Sequence, residues 1–148
     1  MLQLALLSLL PLASAHFQLT YPPARGFNED TISRYPCGGF DTPSSNRTAW
    51  PLSGGPVQLD LGHTSSHIQV LIALGNNPSG DSFQTVLVPT FSEQGPENFC
   101  FPNVGLSGVN VREGDNATVL VVTNGDPSGG LYNVRPPPQP SIPPPSLL

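Results

Sequence analysis

Proline and glycine interrupt this chain so often that a long helix has no room to form. Its 148 residues include 19 prolines and 15 glycines, and no stretch keeps an apolar period of about 3.6 residues. Proline fixes φ and removes a backbone donor, and glycine destabilises the interior of a regular element. Short strands joined by turns fit this pattern, so we predict an all-β fold, an antiparallel β-sandwich of the immunoglobulin or fibronectin type.

Four segments carry the strand signal. The first alternates apolar and polar residues, and the other three are rich in β-branched and aromatic residues bounded by Asn, Gly and Pro. The predicted strands are 56–62, 67–74, 82–91 and 117–123. Residues 21–55 are predicted to form a long ordered loop region anchored by Cys37, with Trp50 as a second candidate anchor.

Residues 1–15 have the pattern of a signal peptide. The segment is apolar, is broken by Pro11 and ends in Ala13-Ser14-Ala15, the small-x-small pattern that a signal peptidase recognises. It is shorter than the roughly 20 apolar residues that span a bilayer. We therefore predict no membrane span, cleavage after Ala15, and a product that is secreted or held at the cell surface.

Other features agree with an oxidising, extracellular compartment. Asn46 and Asn116 begin glycosylation sequons, and the two cysteines, Cys37 and Cys100, suit one disulfide. The chain contains no lysine and has a formal net charge of −5. Five scattered arginines give no electrostatic footprint for nucleic acid or anionic lipid, so we expect neither as a partner.

Cleavage after Ala15 would make His16 the N-terminal residue. Its α-amine and Nδ1 can then chelate one ion, and a second imidazole completes a T-shaped set of three nitrogens that suits copper. Such binding displaces protons, so affinity should fall in acid. His63 follows a predicted strand and is favoured as the second ligand over His67, which begins the next strand. The alternative is that these are ordinary surface histidines.

The run HFQLTYPPARGF at 16–27 resembles the mature start of a fungal family, the copper-acquisition-factor-like proteins, which are related to lytic polysaccharide monooxygenases. The similarity extends over about 16–132. Its further matches, in order, are PCGG at 36–39, NRTAWPLSGG at 46–55, LGH at 61–63, LIALG at 71–75 and the stretch 95–102. It implies a monooxygenase-like sandwich over 16–133 that binds copper without oxidising polysaccharides. The implied ligands are the N-terminal histidine, a second histidine and an aspartate, which places His16 and His63 in the first two positions.

The resemblance ends after residues 129–132. There the family continues with a Gln-Cys-Ala-Asp-like closing strand, whereas this chain runs through Asn133 into proline. We therefore expect the sandwich to lack its last strand, and the aspartate has no assigned position; Asp60 and Asp30 are candidate substitutes. Residues 134–148 are predicted to be a disordered proline-rich tail, hypothetically an artefact of the gene model. Relatives often carry a signal for a GPI anchor, but this chain has no apolar tail of about 10 to 20 residues.

These observations favour a secreted, monomeric and non-enzymatic copper-binding protein that acts in copper acquisition or homeostasis, with a membrane copper transporter as a candidate partner. One alternative is an active copper-dependent lytic polysaccharide monooxygenase. Against it, the single tryptophan and three tyrosines fall inside the matching motifs and form no evident row for stacking on sugars. A second alternative is a non-catalytic cell-wall structural protein, which the sequons and the proline-rich tail favour.

Overall fold

The computed structural model describes residues 16–125 and 129–135. Within these ranges the chain forms seven strands and one short 3-10 helix, Gly80–Ser82. The strands are β1 (Phe17–Tyr21), β2 (Gly55–Leu61), β3 (Ser65–Leu74), β4 (Thr85–Gln94), β5 (Glu97–Val104), β6 (Ala117–Asn124) and β7 (Gly130–Arg135). In these two ranges no helix has the length and apolar character needed to cross a membrane. The predicted signal peptide and all of the predicted tail beyond Arg135 lie outside the described residues.

The strands form two antiparallel sheets that pack face to face. One sheet has the strand order β1-β2-β5, and the other has the order β4-β3-β6-β7. Inward-facing side chains from both sheets form the main core. Its buried members include Phe17, Leu19, Val57, Leu59, Leu61, Ile68, Val70, Val119 and Val121. The all-β antiparallel sandwich predicted from the sequence is confirmed.

The loop region between β1 and β2 covers the outer face of the larger sheet. Cys37 packs there in a second apolar cluster with Ala73, Phe83, Leu120 and Val134. Because β6 is covered on both faces, Val119, Leu120 and Val121 are all buried. This explains why the 119–122 segment is a continuous apolar run with no alternation.

The sequence predicts that the last strand is lost, but the chain continues in a strand past residue 132. Asn133 and Val134 continue β7, which pairs with β6 along its whole length. The outer edge of β7 is bonded to the long loop: the Arg25 N–H donates to the Val134 carbonyl (3.0 Å), and the Tyr132 N–H donates to the Ile32 carbonyl (2.8 Å). A loop covering an edge strand is a common way to protect it from pairing with other chains.

The predicted disulfide is not formed, and both Cys37 and Cys100 are free. Cys37 is buried with β6 and β7 beneath the loop, on the outer face of the larger sheet. Cys100 lies in β5 of the smaller sheet, where its neighbours Phe99 and Phe101 pack against the main core while Cys100 itself is exposed. The two cysteines therefore lie on opposite outer faces of the sandwich, which rules out a bridge between them in this fold.

The two free cysteines should react with thiol reagents at very different rates. Burial raises the pKa of the Cys37 thiol, which lowers its thiolate fraction at any given pH, whereas Cys100 is exposed. In the folded protein at pH 8 we expect Cys100 to be alkylated at least about tenfold faster than Cys37. Mass spectrometry after timed iodoacetamide labelling would measure this, and Cys100→Ser should remove the fast phase. Two unreactive cysteines in denaturant without reductant would instead indicate a disulfide.

Candidate metal site beside the N-terminal strand

The pairing of β1 with β2 brings the two predicted ligand positions to the same end of the smaller sheet. Phe17 lies opposite Leu61, and the Gly62 N–H donates to the His16 carbonyl at 2.8 Å, one step beyond that pair. His63 follows Gly62 directly. The antiparallel register therefore places residue 16 beside the chain that leads into His63, although the two are 47 positions apart in sequence.

His63 is buried and has an unpartnered ring nitrogen. Its side chain is buried, with 8% of the residue exposed, and its Nε2 is inaccessible and makes no hydrogen bond in the structure. Leaving a buried polar atom unsatisfied costs about 1–3 kcal/mol. Imidazole nitrogen is a common ligand for copper and other transition metals, so a metal ion at Nε2 would satisfy the atom.

His67 lies elsewhere. It is in β3, where its neighbours Ser66 and Ile68 face inward and its own side chain faces solvent. Its Nδ1 is 3.0 Å from the Ser92 hydroxyl on the neighbouring strand β4. The structure therefore separates the two candidates as second ligand: His63 is buried near the N-terminal strand, and His67 is on the outer surface of the larger sheet.

A cleft of ≈ 240 Å³ opens in front of His16. Its lining residues are His16, Phe17, Gln18, Phe27, Glu29, Asp60 and Gly62. Of the two aspartates considered from the sequence, Asp60 lines the cleft. Asp30 is exposed in a turn, with its backbone N–H bonded to the Asn28 carboxamide oxygen.

Glu29 is the acidic residue that sequence reasoning missed. Its Oε1 lies 3.8 Å from His16 Nδ1, with 57% of the Glu29 side chain and 30% of the His16 side chain exposed. No local pattern around residue 29 indicates a binding role. Its position depends on the folding of the long loop against β7, which a one-dimensional pattern does not reveal.

Asn133 connects the last strand to the start of the first. Its side chain is buried, and its Nδ2 donates to the Phe17 carbonyl at 3.4 Å. This contact ties β7 to the residue next to His16. The residue at the predicted domain end thus helps to hold the N-terminal strand in place.

Among residues 16–125 and 129–135, no three His, Cys, Asp and Glu side chains are arranged to hold a metal ion by themselves. The side-chain donors that fit copper are the imidazole nitrogens of His16 and His63. The third nitrogen of the predicted set is the α-amine of His16. That atom becomes available only when the peptide bond before His16 is cut.

The two sequons lie in different environments. Asn46 is exposed in the long loop, which suits attachment of a glycan. Asn116 is half-buried just before β6, and its carboxamide oxygen is buried without a hydrogen-bond partner. The third residue of that sequon, Thr118, is fully buried. Of the two predicted glycosylation sites, Asn46 is therefore the more accessible.

The sequence matches the profile of the family described as copper acquisition factor BIM1-like, over residues 14–133. An uncharacterized protein of Aspergillus fumigatus is 49% identical over 133 residues, covering 86% of this chain and 54% of that protein. The copper acquisition factor BIM1 of Cryptococcus neoformans var. grubii is 37% identical over 130 residues, covering 81% and 58%.

A third relative is the lytic polysaccharide monooxygenase-like protein X325 of Hypocrea jecorina, 35% identical over 152 residues. That match covers 88% of this chain and 65% of the relative. The chain therefore spans between about half and two thirds of the length of these relatives. The family match includes His16, His63 and every strand up to the middle of β7. On this match, the chain belongs to the copper acquisition factor BIM1-like family.

Proposed function

We propose that this chain, after cleavage before His16, is a secreted copper-binding protein that acts in copper acquisition or homeostasis. Copper would be held by the α-amine and Nδ1 of His16 and by Nε2 of His63. The buried, unpartnered Nε2 of His63 is the observation that carries this assignment. The BIM1 relatives, named as copper acquisition factors, support the same role.

The proposal includes no oxidative cleavage of polysaccharide. Among the described residues, Phe27 and Tyr35 are the exposed large aromatic side chains. Tyr35 donates its hydroxyl hydrogen to the Gly80 carbonyl and packs edge-on against Tyr132. Of these two exposed rings, only that of Phe27 lines the cleft, and the other phenylalanine in its lining, Phe17, is buried. A single ring beside two carboxylates does not make the flat aromatic surface that stacks on a crystalline glycan.

A copper titration of the processed protein tests the proposal. We expect one Cu(II) ion per chain, an electron paramagnetic resonance spectrum typical of nitrogen ligation, and no soluble oxidised sugars from chitin or cellulose with peroxide and a reductant. Oxidised oligosaccharides would identify a monooxygenase instead. Absence of copper binding by protein whose N-terminal sequence begins at His16 would refute the proposal and favour a structural role in the cell wall.

A further inference from the structure

We propose that Asn133 is a positioning residue for the N-terminal histidine. Its buried carboxamide fixes the outer edge of β1 and so holds the α-carbon of His16 in place before an ion binds. The consequence for copper rests on the proposed function, whereas the fixing of β1 can be measured without any metal.

The hydrogen-bond pattern of β1 directs the Phe17 carbonyl away from its own sheet. The Gly62 N–H donates to the His16 carbonyl, and Phe17 lies opposite Leu61 in the next pair along. Hydrogen-bonded and non-hydrogen-bonded pairs alternate in an antiparallel ladder, so the N–H and C=O groups of Phe17 point away from β2. Because β1 is an outer strand of the smaller sheet, this side of its backbone faces β7 of the larger sheet.

Asn133 lies where its side chain reaches that carbonyl. It is opposite Val121 of β6 and on the same face of β7 as Leu131, and this face lines the interior between the sheets. The residue is 3% exposed, and its Nδ2 donates to the Phe17 carbonyl at 3.4 Å. Burying a carboxamide is unfavourable unless it is hydrogen-bonded. The bond to Phe17 is therefore what Asn133 provides and an apolar residue of similar size would not.

This bond matters for His16 because a chain terminus is anchored from one side only. After cleavage no residue precedes His16, and chain ends are poorly ordered unless they are tied down. The first peptide plane is bonded to Gly62 on one edge of β1, and the second is bonded to Asn133 on the other edge. With both planes fixed, the α-carbon of His16 has a set position, and only rotations about its own bonds remain to be ordered by an ion. Such preorganisation lowers the entropic cost of binding.

The test compares Asn133→Leu with Thr118→Val in the chain that begins at His16. The first substitution nearly keeps the size of the side chain and removes the donor. The second is the matched control, because Thr118 is also buried and its hydroxyl donates to the Gly75 carbonyl at the same distance of 3.4 Å. Thr118 lies on the opposite face of the larger sheet, which it shares with Leu120.

Amide hydrogen exchange without metal is the first measurement. Exchange at the Gly62 N–H reports on β1, because its bond to the His16 carbonyl breaks when the strand frays. We expect Asn133→Leu to raise the exchange rate of Gly62, relative to that of the buried Leu120, by about tenfold. Thr118→Val should leave this ratio within about twofold of wild type. A general loss of stability would not raise the ratio, because it acts on Leu120 at least as strongly.

Cu(II) titration is the second measurement. Asn133→Leu should weaken Cu(II) binding by about tenfold, the lower end of the range for groups that orient a ligand, and Thr118→Val should not weaken it. Asn133→Ala also lacks the donor and should give the same two results if leucine does not fit in the interior. Circular dichroism would show that the variants are folded.

The outcomes separate the role of Asn133 from the function beneath it. If the wild-type chain that begins at His16 binds no copper, the proposed function fails, and the exchange ratio still decides whether Asn133 fixes β1. A wild-type ratio at Gly62 in both Asn133 variants would refute the positioning role. A raised ratio with unchanged copper affinity would refute its link to the metal site, whereas a raised ratio with weaker copper binding supports the whole proposal.

Discussion

A single extra residue in front of His16 should weaken Cu(II) binding by more than about 100-fold. The extension turns the α-amine into a peptide nitrogen, whose lone pair is delocalised into the carbonyl and is a poor ligand at neutral pH. Changes to groups that only orient a ligand already reduce metal affinity by about 10- to 100-fold, so the loss of a direct donor should exceed that range. His16→Ala, which keeps an amine but removes the imidazole, should have a comparable effect.

The measurement needs two proteins that differ only at the new terminus. One begins at His16, and the other carries an N-terminal extension whose protease-sensitive bond lies directly before His16, so that cleavage converts the second into the first. Cu(II) affinity should be recovered after cleavage and should fall as the pH is lowered, because protons compete for the amine and imidazoles. Equal affinities for the extended and cleaved proteins would refute chelation by the N-terminal residue. N-terminal sequencing of the secreted product would test the cleavage site itself.

The strands that could be predicted are those whose signal is local. Residues in β2 alternate because one face meets the core and the other meets solvent, and the apolar runs in β3 and β6 come from central strands. The predicted third strand begins too early, since Gly80–Ser82 forms a 3-10 turn and β4 starts at Thr85. In these segments the sequence predicted that a strand forms, whereas the residues at which each strand begins and ends depend on turn geometry.

The strands β5 and β7 were not predicted from the sequence because they are stabilised by contacts with residues distant in sequence. In β5, Phe99 and Phe101 face the core, but Pro102 weakens the pattern; proline is tolerated there because β5 is an edge strand. In β7, Val134 packs beside Cys37 beneath the long loop. Two backbone hydrogen bonds, from the Arg25 N–H to Val134 and from the Tyr132 N–H to Ile32, hold the outer edge of β7. No feature in the sequence of residues 130–135 predicts these bonds.

The residues of the candidate site also differ in whether the sequence could predict them. His16 is recognisable because it follows a cleavage pattern, and His63 because it follows an alternating strand. Glu29 has neither signal, and only the folded loop places it beside the His16 ring. The predicted disulfide failed for a related reason. Counting Cys37 and Cys100 gives a pair, but the sandwich places the two thiols on opposite outer faces.

We expect His63→Ala and His67→Ala to differ strongly in their effect on Cu(II) affinity. The first variant removes the imidazole that we propose as the second ligand, so we expect Cu(II) affinity to fall by more than about 100-fold. The second variant removes an exposed ring bonded to Ser92, and its affinity should stay within about twofold of wild type. The two substitutions are identical in chemistry and lie four residues apart, which makes each the control for the other.

Thermal unfolding gives an independent measurement, because a ligand that binds only the folded state stabilises it. With free copper at about 100 times the dissociation constant, wild type and His67→Ala should gain about 2.7 kcal/mol, and His63→Ala should gain almost nothing at the same concentration. Without copper, His63→Ala should lose little stability, since the cavity it creates is offset by removal of the unsatisfied Nε2. Loss of the copper-dependent gain in His67→Ala but not in His63→Ala would move the site to the outer surface of the larger sheet and contradict the buried nitrogen as the ligand.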